Sequence, residues 1–257
     1  MQISNIQNYN IPKNRYSPTF KRWHRTVYKE NSLLTKQLMH KNNTWFYREE
    51  GLWKWLAKHL SQRFANTSKV NVYNYGCSNG IESYTFLMEL ISNYREDFVK
   101  KLLPIKARDY DPVAIERANM GIFEIDYCEI DRINANTGGQ FGRFFEKVQS
   151  EKSLYRIKDE FKNMVEFTVA DIRERYKEIL PENSLILARN FWPYLERQSS
   201  ISEMAAKLYN QMGKNSLLVI GDFDISEGIL FNAKTDSCLI DAGFVSVDGE
   251  KIFEKEV

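Results

Sequence analysis

From residue 70 onward the chain alternates short runs of apolar and β-branched residues with stretches of helical periodicity, and no other feature constrains the fold as much. Parallel strands need long crossover connections, which helices supply, so such alternation reads as a parallel sheet wrapped by helices. The strand candidates are residues 71–75 within VNVYNY, PIKARDY at 104–110, VEFTVA at 165–170, SLILARN at 184–190 and SLLVIGDF at 216–223, with a closing pair at FVSV and KIFEK. Helices are expected at about 80–101, 112–120, 171–179, 196–212 and 230–241. The implied class is α/β, Rossmann-like and doubly wound.

Two regions depart from the alternation. Between Asp126 and Lys162, Gly138-Gly139 interrupts the pattern, and FGRFFEKVQSEKSLYRI reads as a short helix followed by a small β-hairpin inserted into the core fold (about 126–162). Upstream, WFYREEGLWKWLAKHLSQRF sets Trp45, Leu52, Trp53, Leu56 and Leu60 near one helical face, as expected of a helix capping the sheet. The boundaries that follow are a basic, partly helical arm at 1–41, with helix from about Phe20 to Gln37, and a main α/β domain at 42–257.

Charge matters through its distribution. The net formal charge is +2, yet residues 1–41 hold eight Lys/Arg against Glu30, leaving 28 bases against 33 acids elsewhere. A basic arm of this kind attracts an acidic partner surface or is simply a solvated helix face. Cys77, Cys128 and Cys238 lie far apart and form no pair with metal-ligand spacing, so no metal is expected and a reducing, cytoplasmic setting fits best. No apolar run approaches a membrane span.

In an open α/β sheet a ligand binds beyond the carboxyl ends of the strands where their order reverses. After the first strand comes Gly76-Cys77-Ser78-Asn79-Gly80, leading into a helix; the glycines permit a tight turn, and the helix start presents free N–H groups, although glycine there also serves turns with no ligand. It is neither the dinucleotide fingerprint nor a P-loop. The second strand ends in Asp109-Tyr110-Asp111-Pro112. Asp109 is the candidate for accepting ribose hydroxyls, and Asp111 the candidate helix cap before Pro112. After the third strand, Asp171 and Ile172 would meet the edge and face of an adenine ring, with a helix cap the equal alternative for Asp171. The fourth strand leads into Arg189-Asn190-Phe191-Trp192-Pro193-Tyr194, whose aromatic faces suit a sulfonium cation or plain core packing. His24, His40 and His59 have no partners at catalytic spacing, and Trp53, Trp55, Phe144 and Phe145 read as core or lid.

Taken in order, these groups resemble the chemotaxis-receptor glutamate methyltransferase family, the CheR type. The family's opening motif Asn-x-Thr-x-Phe-Phe-Arg-Glu stands here as Asn42-Asn43-Thr44-Trp45-Phe46-Tyr47-Arg48-Glu49. Its glycine loop is CSNGIESYT from Cys77, keeping Glu82 with Ile81 in place of a glutamate. Its ribose motif is Asp109-Tyr110-Asp111, followed by Ala118-Asn119-Met120-Gly121-Ile122-Phe123, and its Cys-Arg-Asn-Val-x-Ile-Tyr-Phe is ARNFWPYL with Arg189, Asn190 and Tyr194 kept. The likeness covers about residues 40–255. Three features depart from it: only some forty residues precede the opening motif, Gly-His-Ser-Glu is Gly221-Asp222-Phe223-Asp224, and Asn-Leu is Asp171-Ile172.

The resemblance implies the mostly parallel seven-stranded sheet of class I S-adenosylmethionine-dependent methyltransferases and S-adenosylmethionine as cofactor, with S-adenosylhomocysteine as product. It implies Asn42, Thr44, Arg48, Gly76, Gly80, Glu82, Asp109, Asp171, Ile172, Asn190 and Phe191 around the cofactor, and Arg48 and Tyr194 beside the reacting groups. The implied reaction is methyl-ester formation on a glutamate of an acidic, chemoreceptor-like protein contacted by the basic arm. Two other readings stand beside it. One is methyl transfer to another acceptor, such as nucleic acid or a small molecule; nucleic acid is disfavoured because the loop at Asn190 is a residue longer than the Asn-Pro-Pro-Tyr loop it loosely resembles. The other is a non-catalytic sensor of S-adenosylmethionine or its product.

Overall fold

The computed structural model describes residues 44–148, 153–173, 179–195, 198–226 and 235–255. The expected helix at 20–37, the basic arm and Asn42 lie outside them.

The strands form where the apolar runs lie. β1 (Asn71–Tyr75), β2 (Ile105–Asp109), β6 (Val165–Val169), β7 (Ser184–Ala188) and β8 (Leu217–Val219) are parallel, and β10 (Ile252–Lys255) and β9 (Phe244–Ser246) close the sheet antiparallel, in the order β6-β2-β1-β7-β8-β10-β9. Strand pairing on the two sides of β1 is in clean register, Val72 lying opposite both Ile105 and Leu185. Alternate side chains enter opposite cores. Val72, Leu185 and Leu187 join one cluster, while Tyr73, Tyr75, Ile186 and Ala188 join the other, as the two-residue period of a strand requires. Every residue of β7 is buried, which accounts for its unbroken apolar run. The chain leaves β1 toward β2 on one side and returns to the other side at β7, so the switch point lies at the carboxyl ends of β1 and β7.

Around the sheet, α1 (Glu50–Arg63) buries Leu52, Trp53, Leu56, Ala57 and Leu60. Trp45 stands before the helix rather than on its apolar face, because Tyr47 and Glu49 take left-handed backbone angles (φ 53° and 60°) and hold residues 46–49 as a turn. The helix expected at 80–101 is two: α2 (Ile81–Asn93) and α3 (Glu96–Lys101), separated where Tyr94 and Arg95 are extended. Glu96 and Asp97 open α3 and Lys100 and Lys101 close it, matching its dipole. α4 (Pro112–Met120) occupies its expected span, capped by the Asp111 carboxylate on the Val113 N–H. Residues 171–173 are not helical, and the rest of that expected helix falls largely outside the described residues. α8 (Gln198–Gln211) and α10 (Thr235–Asp241) answer the last two expectations over the described residues, and a short helix, α9 (Asp222–Ser226), replaces the end of the strand read at 216–223.

The insertion is larger than a hairpin. β3 (Ile122–Glu124), β4 (Phe145–Lys147) and β5 (Leu154–Ile157) form an antiparallel sheet in the order β3-β5-β4, with α5 (Tyr127–Thr137), α6 (Phe141–Phe144) and α7 (Asp159–Lys162) around it. Its first strand precedes the expected boundary, since a three-residue strand directly after Gly121 carries too little periodicity to be read alone. Phe46 plugs this subdomain. Its ring meets Phe123 at 5.3 Å and Phe145 at 5.4 Å, both edge-on. Its N–H donates to Glu129 Oε1 (3.3 Å), and its carbonyl accepts from Arg132 Nη1 (3.4 Å). Burial raises the Glu129 carboxyl to about 7 against the pull of that Phe46 N–H.

Among the described residues, no helix is long and apolar enough to cross a membrane. Phe46 is 1% exposed, so Phe46→Ala is expected to cost about 3–4 kcal/mol of stability, measured by urea denaturation.

Candidate active site

The loop after β1 is fastened to the tip of β2 by backbone bonds: the Gly76 and Cys77 N–H groups both donate to the Arg108 carbonyl (2.8 and 3.1 Å). Asp109 completes the joint. Its Oδ2 accepts from the Ser78 N–H at 2.8 Å and its Oδ1 from the Asp111 N–H at 2.9 Å, leaving a nearly buried carboxylate fixed at the switch-point edge. Gly76 (φ +70°) and Gly80 (φ +86°) take angles that side chains rarely adopt. A Cβ on Gly80 would come within 2.7 Å of the Phe167 ring, and one on Gly76 within 3.0 Å of the Phe191 ring.

Glu82, in the first turn of α2, points back toward the loop after β7. There its Oε2 accepts from Arg189 Nη1 at 2.6 Å, while Arg189 Nη2 lies 2.9 Å from Glu49 Oε1. The Arg189 side chain is fully buried, and its guanidinium lies 4.5 Å over the Trp53 ring. Burial works against its charge, but the two carboxylates raise its proton affinity above that of an ordinary arginine. Glu49 answers more than one cation. Burial opposes its charge too, yet Arg189, the Asp222 N–H (3.0 Å) and Lys251 hold it below the usual glutamate range. Burial dominates at Glu82, whose carboxyl is raised despite Arg189. Arg48 Nε lies 3.9 Å from Glu49 Oε1, and its guanidinium 4.8 Å over Trp45; burial lowers its proton affinity despite Glu49.

A second anchor shapes the loop after β7. Asp224 accepts from the N–H groups of Asn190 (2.6 Å), Gly221 (2.8 Å) and Trp192 (3.2 Å). Asn190 takes φ +62° and its Oδ1 accepts from the Phe223 N–H (3.1 Å). A Cβ on Gly221 would land on the Asn190 amide, so glycine is required for this close approach. Phe191 stacks on Trp192 at 5.5 Å, and Tyr194 lies 5.6 Å from the Phe223 ring.

Of the residues singled out from sequence, Arg48 stands on the opening turn, Gly76, Gly80, Asn190 and Phe191 on the loops at this edge, Glu82 in the first turn of α2 and Asp109 at the tip of β2. Thr44 is half-buried at the start of the described chain, and Asp171 accepts from the Arg173 N–H and side chain (both 2.9 Å), with Ile172 packed on the second core. The aromatic loop serves partly as core, Trp192 being fully buried. Sequence reasoning passed over Glu49, Arg189, Asp224 and Lys251 as site residues. The first two sat inside quoted motifs, which was signal enough. Asp224 sat in a quoted motif too, but there as a departure from it, and Lys251 in none; only folding brings residues 34 and 202 positions distant to Asn190 and Glu49. Among the described residues there is no group of three or more His, Cys, Asp or Glu that could hold a metal ion.

Comparison with known proteins puts a family to this arrangement. A family model described as CheR methyltransferase, SAM binding domain, matches residues 42–236. A curated relative named chemotaxis protein methyltransferase, from Borreliella burgdorferi, is 24% identical over 200 residues, covering 73% of this chain; the chain spans 65% of that relative's length. Solved structures align more loosely. A TehB-like SAM-dependent methyltransferase from Corynebacterium glutamicum aligns at 12% identity and TM-score 0.42, covering 86% of this chain and 94% of its own. The N-methyltransferase NodS from Bradyrhizobium japonicum aligns at 14% and 0.43, covering 80% and 97%.

Two outcomes test this geometry. Arg189→Met would leave Glu49 and Glu82 buried and facing each other, with an expected loss of about 3–5 kcal/mol in chemical denaturation. Asp224 is raised to about 7 by burial, against the pull of its three N–H donors. A raised carboxyl binds a proton in the folded state that the unfolded chain has released. Its stabilisation is therefore complete below about pH 4 and lost as pH rises through about 7. Asn mimics the protonated form, so between about pH 5 and 8 the stability of Asp224→Asn should fall less than that of wild type.

Proposed function

The chain belongs to the CheR methyltransferase family, and from that premise we propose that it transfers a methyl group from S-adenosylmethionine to a glutamate carboxylate of a receptor-like protein. The observation that carries the reading is the convergence of the opening turn, through Arg48 and Glu49, with the loops after β1 and β7 at the sheet's switch point. That is where an α/β sheet binds ligands.

The residues fit the cofactor. Asp109 offers a carboxylate for the ribose hydroxyls, fixed by the bonds it accepts from the Ser78 and Asp111 N–H groups. Phe191, against Gly76, supplies an apolar wall, and Asp171 with Ile172 the edge and face for adenine. Thr44, Gly80, Glu82 and Asn190 complete the set within the described residues; Asn42 belongs with them by motif.

When bound, S-adenosylmethionine would supply an electrophilic methyl carried on a sulfonium and would be left as S-adenosylhomocysteine. A glutamate is already ionised at neutral pH, so the protein has no proton to remove and needs no general base. Its work is orientation and exclusion of water. Arg48 is the residue to orient the acceptor carboxylate by charge-assisted hydrogen bonding, because the opening turn holds its guanidinium at this edge, beside Glu49 and over the Trp45 ring. Tyr194, against Phe223, is the candidate to fix the acceptor oxygen. The basic arm at 1–41 suits an acidic protein surface.

Calorimetric titration with S-adenosylhomocysteine should give micromolar binding, weakened about tenfold or more (about 1.4 kcal/mol) in Asp109→Ala. Labelled S-adenosylmethionine and a chemoreceptor fragment should yield base-labile methyl ester that releases methanol, with loss in Arg48→Ala. No binding by folded, ligand-free protein would end the cofactor reading. Binding without ester on any glutamate-bearing fragment would favour the sensor.

A further inference from the structure

Glu49 gathers three cations at one buried carboxylate. Two of them, Arg48 and Arg189, come from the opening turn and the loop after β7. The third, Lys251, stands immediately before β10, beyond the stretch matched by the family model. Its Nζ lies 3.5 Å from Glu49 Oε2 and also ion-pairs with Asp222 Oδ1, and its side chain is 17% exposed.

This position is built into the fold. The turn before Lys251 is fixed by Asp248, whose Oδ1 accepts from the N–H groups of Glu250 (3.0 Å), Lys251 (2.8 Å) and Ile252 (2.9 Å). The Lys251 carbonyl accepts from the Ile220 N–H (2.9 Å), which sets its side chain beside Gly221-Asp222. Asp222 in turn donates its own N–H to Glu49 Oε1 at 3.0 Å. Lys251 thus closes a loop of contacts from Glu49 to Asp222 and back. Around that loop, Glu49, Glu82, Asp222 and Asp224 face Arg48, Arg189 and Lys251. Of the three cations, Arg48 and Arg189 approach Oε1 and Lys251 approaches Oε2, so taking away Lys251 removes the one that these three place on the Oε2 side.

We propose that Lys251 is a positioning residue of the active-site edge: by holding both Glu49 and Asp222 it fixes the carboxylate that receives Arg189 and borders Arg48. Its action runs through Glu49, not through contact with cofactor or acceptor. The inference rests on the cofactor reading of this edge, and its test separates the two.

Wild type, Lys251→Gln, Lys251→Arg, Glu49→Gln and the Lys251→Gln/Glu49→Gln double variant are titrated with S-adenosylhomocysteine. Lys251→Gln should weaken binding about tenfold, Lys251→Arg should restore it to within about threefold, and in the Glu49→Gln background the Lys251 change should add less than about twofold. Thermal unfolding without ligand gives an independent readout. Since Glu49 is held below its ordinary range, the stability it contributes is present above about pH 4.3 and lost as pH falls through its folded value. The Tm deficit of Lys251→Gln should therefore be full near pH 7 and narrow toward about pH 4. A wild type that binds no S-adenosylhomocysteine would overturn the cofactor reading, and this inference with it. A wild type that binds, alongside Lys251→Gln binding equally well, would overturn the inference alone. So would an equal loss in the Glu49→Gln background or a Tm deficit that does not change with pH. Were Lys251→Gln not to fold, failure of folded Lys251→Arg to bind would overturn it.

Discussion

A guanidinium with no exposed side-chain surface must be answered by negative charge, and the rest of this structure is arranged around that requirement at Arg189. Its two carboxylates come from different parts of the chain, Glu82 from the first turn of the helix after β1 and Glu49 from the turn before α1. A buried cation shared in this way ties the loop after β7, the glycine loop's helix and the opening turn into one unit. Trp53 covers the guanidinium face and donates its indole N–H to the Arg48 carbonyl (2.7 Å), so the helix that caps the sheet also closes the charge cluster. Replacing the cluster by apolar packing would keep a core of the same volume, but not the charges at the switch point.

The opening turn joins two regions that the sequence keeps apart. Phe46 is held by the inserted subdomain through its ring and both backbone polar groups, and Glu50 adds an ion pair to Arg132 at 3.4 Å. Two to three residues on, Arg48 and Glu49 belong to the charge cluster. The left-handed angles at Tyr47 and Glu49 make so sharp a change of direction possible. Non-glycine residues hold such angles only where their surroundings over-determine them, and here the burial of Tyr47, with its N–H on Thr85 Oγ1 (3.3 Å), does so.

Much of the fold was legible because strand and helix periods are local. The five parallel strands, the Pro112–Met120 helix with its Asp111 cap and the closing antiparallel pair stand close to where alternation, capping chemistry and turn residues put them. Where the reading slipped, the determinants were not local. The break at Tyr94-Arg95 carries no glycine or proline, the strand at Ile122–Glu124 is too short for a period to register, and the helix at Asp222–Ser226 follows from Asp224 turning inward to three N–H groups, two of them supplied by residues 34 and 32 positions earlier.

By itself the sequence determined the layers and the chemistry available at each loop: which runs pair as strands, which turns need glycine, and that Asp109, at the end of its strand, and Arg189 and Asn190, just after theirs, fall on the same side of a parallel sheet. Those are consequences of period and of side-chain identity over a few residues. Only the tertiary structure decided which charges meet. That Glu49 answers Arg48, Arg189 and Lys251 together, and that Asp224 holds the loop after β7, depends on close approach between buried side chains. There a carboxylate's partners are set by distance and burial rather than by position along the chain.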